Sequence, residues 1–141
     1  MTSTEESLGI TTVLNLDYDQ AVEKTVAALK EQGFGVLTEI DVKAILKQKL
    51  DLDYHRYVIL GACNPPLAHR ALEADQSVGL LLPCNVVVYE NKDGTCTVSA
   101  LNPVVAMSIV GNPELEQVAE AAGSKLKAAI DAVKKQYAVA A

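Results

Sequence analysis

The dipeptide Asp93-Gly94 sits between two apolar runs, 79–90 and 95–101, rich in Val, Leu and Thr. Asp-Gly supplies the positive backbone angles of a tight turn, so these runs read as two strands folded back on each other. A hairpin commits the chain to antiparallel pairing, and the rest of the sequence must cover it. Pro83 interrupts the first run; having no N–H for a ladder, it predicts an edge, a bulge or a bend.

Helix-forming segments alternate with further strands. Residues 10–16 mix β-branched and aliphatic side chains and stop at Asp17, which with Gln20 forms a capping box. Ala21, Val22, Val26 and Leu29 then share one helical face, and Gly33 supplies a left-handed stop. Residues 34–40 alternate, predicting a strand with Phe34, Val36, Thr38 and Ile40 turned inward. Asp41 precedes a short helical pattern over 42–50, whose Lys43, Lys47 and Lys49 read as a solvated face. Residues 56–62 form another strand. Asn64-Pro65-Pro66 starts a helix burying Leu67, Ala68, Ala71 and Leu72, since Asn caps well and Pro at the first helical position sacrifices no hydrogen bond. Asn112-Pro113-Glu114 opens a long final helix with apolar positions from Leu115 to Val133, while 102–110 has no definite pattern. The expectation is a single compact α+β domain over 10–141, with helices packed on a largely antiparallel sheet of about five strands, after a polar tail over 1–9. An exposed sheet face or edge favours a homodimer.

Eighteen acidic against twelve basic residues give a net charge of -6, which supplies no field for nucleic acid or anionic lipid. Tyr57, Tyr89 and Phe34 are too few for a base-stacking platform without a basic groove. The longest uncharged stretch, 95–113, is broken by Asn102, Pro103, Gly111 and Asn112, so no membrane span is expected. The first residues carry acids where an export signal needs positive charge, which points to the cytoplasm and to reduced thiols. Phosphate-binding glycine loops, a Gly-x-Ser-x-Gly elbow and a His-Glu-x-x-His pair are all missing. Asp51 and Asp53 read as a solvated loop rather than an acid–base pair. No cofactor is indicated.

The chemistry that remains is sulfur. Cys63 directly precedes the helix start at Asn64, where free N–H groups and the helix dipole favour a thiolate. His69 lies four residues beyond Pro65, within reach of the same helix end if its side chain leans back. Cys84-Asn85 repeats the Cys-Asn pairing of Cys63-Asn64, and the two would meet if their strand ends were neighbours. The bland alternatives are core cysteines and a helix-face histidine. Cys63, Cys84 and His69 have ligand types suited to zinc but no compact spacing, so no metal site is assigned.

The segments Gly33-Phe34-Gly35-Val36-Leu37-Thr38-Glu39-Ile40-Asp41-Val42, Leu60-Gly61-Ala62-Cys63-Asn64-Pro65-Pro66-Leu67-Ala68 and Leu81-Leu82-Pro83-Cys84-Asn85-Val86 resemble, in wording and order, the domain-of-unknown-function 302 family. Gly111-Asn112-Pro113-Glu114-Leu115 matches a further family segment, extending the likeness over nearly the whole chain. The resemblance implies a compact α+β domain, a dimer and an association with sulfur metabolism. Cys63, Asn64, Pro65, Cys84 and Asn85 fall on the family pattern; Cys96 and His55 do not. Two functions follow as expectations. One is binding of a small molecule, or handling of sulfur, at a pocket around Cys63 and Cys84 with Asn64, His69 and Asn85 nearby. In its sulfur form Cys63 is the nucleophile and Cys84 assists or resolves. The other is a noncatalytic dimeric interaction module whose cysteines are inert. The residues alone do not decide whether the protein is an enzyme.

Overall fold

The computed structural model describes residues 7–139. The expected tail lies mostly outside them, and the first strand, β1 (Gly9–Leu14), opens within its final residue. α1 (Tyr18–Glu31) follows, capped by Asp17, whose carboxylate accepts from the Gln20 N–H at 2.8 Å. Next come β2 (Gly35–Asp41), α2 (Val42–Leu50), β3 (Tyr57–Cys63) and α3 (Pro65–Ala74). A 3-10 turn, Gln76–Leu81, leads to β4 (Cys84–Glu90) and β5 (Cys96–Leu101). α4 (Pro103–Met107), a second 3-10 turn and the long α5 (Pro113–Tyr137) complete the order.

All five strands form one antiparallel sheet in the order β1-β5-β4-β3-β2, with β1 and β2 at the edges. The Asp93-Gly94 turn is as expected: Gly94 has φ +87°, and the Asp93 carboxylate accepts from the Thr95 N–H at 3.0 Å. The first apolar run is divided. Residues 76–81 coil into the 3-10 turn, and only from Cys84 does the chain pair as a strand. Pro83 therefore marks the entry to an interior strand, where a missing donor costs no ladder bond. The pattern-poor stretch 102–110 holds α4, capped by Asn102 and begun by Pro103.

One face of the sheet is covered by helices. Val58, Leu60 and Ala62 of β3 register with Val88, Val86 and Cys84 of β4, and β5 adds Cys96, Val98 and Ala100. With Leu14, Phe34, Ala21 and Leu29 they form one buried cluster, completed by Ala122, Leu126, Ala129, Ile130 and Val133 of α5. The N-terminal half of α5 belongs to a second cluster, where Leu115, Val118 and Ala119 meet Ala71, Val78 and Met107. Leu67 packs against both.

β2 departs from the simple alternation. Val36 pairs with Ala62 but Thr38, not Leu37, pairs with Gly61. Leu37 is the extra residue of a β-bulge, and beyond it the two faces exchange. Thr38 and Ile40 thus share the uncovered face with Gly61 and Ile59, and both are exposed rather than turned inward. Leu72, expected in the core, is exposed as well. α2 lies against β3 without burying a residue fully.

Gly61 is crowded because the bulge brings β2 close. A methyl group there would press into the Thr38 hydroxyl and come within 2.8 Å of the Pro83 ring. Gly61→Ala is expected to lower stability by about 1–3 kcal/mol through overpacking, read by urea unfolding. Adding Thr38→Ala should restore part of the loss; an unchanged midpoint for Gly61→Ala would refute the close packing.

Candidate functional site

The two core clusters do not close on each other. Between them lies a cavity of about 330 Å³ at the end of the sheet where β2, β3 and β4 meet α3, α4 and α5. Phe34, Ala62 and Cys84 line it from the sheet side, and Ala71, Met107 and Val118 from the helical side. Leu37, Leu72 and Pro83 extend the apolar wall toward solvent. No charged side chain lines it, and the polar ones are Thr38, Asn64 and the two thiols.

The cysteines arrive by register. Cys84 pairs with Ala62, one residue before Cys63, and both cysteines line the same cavity. The two Cys-Asn dipeptides thus contribute both cysteines to one cavity but not both amides, and nothing in a spacing of twenty-one residues fixed this. Cys84 is buried, and loss of solvent pushes its thiol up to about 11, with Cys63 adding to the rise. Cys63 is half-buried. Cys96 is fully buried outside the cavity lining, and burial, then the Glu90 and Asp17 carboxylates, raise its pKa too. None of the three cysteines is in a disulfide.

The other site candidates separate. Asn64 is buried and lines the cavity, but its amide is engaged structurally. Its oxygen accepts from the Leu67 N–H at 3.3 Å, capping α3, and its nitrogen donates to the Gln32 carbonyl at 3.4 Å, tying α3 to the end of α1. Gly33, at φ +83°, lets this happen: a β-carbon there would sit 3.0 Å from the Asn64 nitrogen. His69 is exposed on α3, with Nε2 3.7 Å from a Glu73 carboxylate oxygen, and does not line the cavity. Asn85 is exposed, opposite Gly61, on the uncovered sheet face. Sequence reasoning did not single out Leu37, Leu82, Pro83, Met107 and Val118 as site residues. Apolar walls carry no local signature that distinguishes them from core. Among the described residues no cluster of three His, Cys, Asp or Glu suited to a metal is present. Nor is any helix among them long and apolar enough to cross a membrane.

An α+β domain with an apolar, thiol-flanked cavity at one sheet end is the class that fold and site define. The family model described as "Domain of unknown function DUF302" matches residues 10–133, and the chain belongs to that family. It is similar to the crystal structure of an uncharacterized conserved DUF302 protein from Bacillus stearothermophilus. The two share 32% identity with a TM-score of 0.81, over 88% of this chain and 96% of that one. No curated protein matches the sequence.

The buried Cys84 thiol makes stability pH-dependent. Its folded pKa is raised, so in the alkaline range the unfolded chain binds fewer protons than the folded one. The stabilisation is complete below pH 9, the ordinary thiol value, and is lost as pH climbs toward 11. A rise of about two units is worth roughly 2–3 kcal/mol. Cys84→Ala is expected to flatten urea stability between these pH values relative to the parent, leaving the contributions of Cys96, Tyr18 and Tyr57, whose pKa values burial also raises; an identical slope would show that the thiol titrates normally.

Proposed function

We propose that the protein binds a small, neutral, predominantly apolar molecule in the cavity beside Cys63 and Cys84. One observation carries this reading: the cavity wall has no charged group, and its one amide, that of Asn64, is engaged through both its oxygen and its nitrogen. A charged ligand would lose its hydration there without a partner, a cost of several kcal/mol, whereas an apolar one gains about 25 cal/mol for each Å² removed from water. At about 330 Å³ the space lies near the small end of ligand pockets. Binding ranks above turnover because the two groups a sulfur-transfer mechanism enlists beside Cys63 are poorly suited: His69 lies outside the cavity and the Cys84 thiol is held protonated at neutral pH.

Ethyl pentyl ketone is a suitable probe, with octanoate as its charged counterpart. The ketone at a hundredfold excess over its Kd is expected to stabilise the protein by about 2.7 kcal/mol, and octanoate to have little effect. Ala122→Leu, which places bulk in the cavity, should remove the response. Calorimetry showing no heat for the ketone, or equal affinity for both compounds, would overturn the reading.

A second reading concerns the open sheet face. Thr11, Val13, Thr38, Ile40, Tyr57, Ile59, Asn85, Val87, Tyr89, Thr97, Ser99 and Leu101 occupy it, and none is charged. Tyr57 stacks on Tyr89 with ring centroids 5.0 Å apart. Five strands about 4.8 Å apart give a face roughly 24 Å wide, on the scale of a standard interface of about 800 Å² per partner. We infer that its occupant is a second copy: a charge-free face offers nothing to select an oppositely charged partner, and two copies meet on it without like-charge repulsion despite the net charge of -6. Sedimentation should give twice the chain mass of 15.0 kDa, falling to the single-chain mass in Val87→Glu with the circular dichroism unchanged. A monomeric parent at all concentrations would sink the dimer.

A further inference from the structure

We infer that Cys63 makes the cavity a covalent trap for small apolar electrophiles of the α,β-unsaturated carbonyl class. This rests on the apolar-ligand reading above and names the ligand chemistry that the thiol adds to it.

The three cysteines are placed differently. Cys96 is fully buried and lines no part of the cavity. Cys84 lines it from within, is more than nine-tenths buried, and its sulfur makes no hydrogen bond among the described residues. Cys63 also lines the cavity but is only half-buried, which makes it the one cysteine of the three that combines a place in the lining with surface open to solvent. Its neighbours divide by polarity. Phe34, Ala71, Met107 and Val118 form an apolar interior fit for an alkyl chain, while the exposed Thr38 stands at the solvent side, where a carbonyl oxygen keeps its hydration. An alkyl chain held in that interior leaves its polar, reactive end toward Cys63. Cys84 stays a thiol at neutral pH, burial and Cys63 having pushed it up to about 11, so it does not compete as a nucleophile.

The step needs no oxidant. Cys63 gives its proton to water, and the sulfur forms a bond to the terminal vinyl carbon. The π pair of the carbon–carbon double bond moves into the carbonyl as an enolate, which then takes a proton from water on the carbon next to the carbonyl. The product is the protein plus one whole electrophile, with no leaving group. Holding the electrophile beside the thiol raises the rate by proximity, and each methylene buried in the cavity raises the local concentration further.

Methyl, propyl and pentyl vinyl ketone form a series with the same reacting end and a growing chain. Their addition to native protein is followed by intact mass and peptide mapping, each rate divided by that for glutathione. The normalised rate at Cys63 is expected to climb by up to roughly fourfold per added methylene, the equivalent of burying it. Cys84 and Cys96 should label only after unfolding. Cys63→Ser should lose the adduct, and ethyl pentyl ketone, which cannot add, should bind the parent protein without changing its mass. Ala122→Leu should flatten the series; if it fails to fold, Cys63→Ser and the chain-length series decide alone. A rate independent of chain length, or labelling at Cys84 first, overturns the inference. Binding of the saturated ketone without vinyl ketone adduct refutes the trap and leaves the binding reading standing, whereas no binding of the saturated ketone refutes both.

Discussion

The long helix α5 is the element on which the rest of the fold depends. Eight of its residues are buried, and they serve two clusters in turn: Leu115, Val118 and Ala119 pack with α3 and α4, then Ala122 to Val133 pack on the sheet. A helix of twenty-five residues is about 37 Å long, more than the depth of one small core, so a straight rod seated on the sheet must overhang it. α3, α4 and the 3-10 turn gather beneath that overhang. The cavity lies at the change-over between Val118 and Ala122, where neither cluster fills the space. Small side chains at Ala71 and Ala122 keep it open, and α5 holds both walls at once.

Charge stays off both the cavity and the open sheet face. The cavity has no charged lining, and the strand residues of the open face are uncharged, although about a fifth of the chain is charged. The acids and bases instead pair at the periphery. Arg56 meets Asp19 and stacks over Tyr18 at 4.3 Å, Arg70 meets Glu114 at 3.3 Å, and Lys127 meets Asp131 at 2.8 Å. Exposed pairs of this kind add little stability, so their significance lies in where charge is absent.

Much of the fold was legible because its signals are local. The caps at Asp17, Asp41, Asn64 and Asn112 all form in the structure, as do the Asp93-Gly94 turn and the sheet of five strands. Local signals also explain the misses. Residues 79–81 are apolar enough for a strand, but they belong to a 3-10 turn whose Val78 packs into the second cluster. The site was half legible. Cys63 and Cys84 are conspicuous residue types in a resembling pattern, and register unites them. Whether His69 and Asn85 join them depends on which way a helix and a strand face, which neither residue reveals in isolation. Met107 and Val118 come from a segment without a pattern and from an ordinary amphipathic helix, so only tertiary packing makes them cavity wall.

The bulge at Leu37 connects the two surfaces. Without the extra residue, alternation from Val36 would put Glu39 and Asp41 on the open sheet face and turn Thr38 and Ile40 toward the helices. Two carboxylates would then stand on the open sheet face beside Ile59 and Tyr57. With the bulge, Glu39 and Asp41 pair with Leu60 and Val58 on the helix side of an edge strand, where they raise the pKa of Tyr18 after the larger effect of its burial. Leu37 itself becomes part of the cavity wall. A single inserted position thus clears charge from one surface and supplies an apolar side chain to the other. Gly61 is the complementary residue: its missing side chain makes room for Thr38 and Pro83, so the bulged edge and the entry to β4 close around the end of the sheet where the thiols lie.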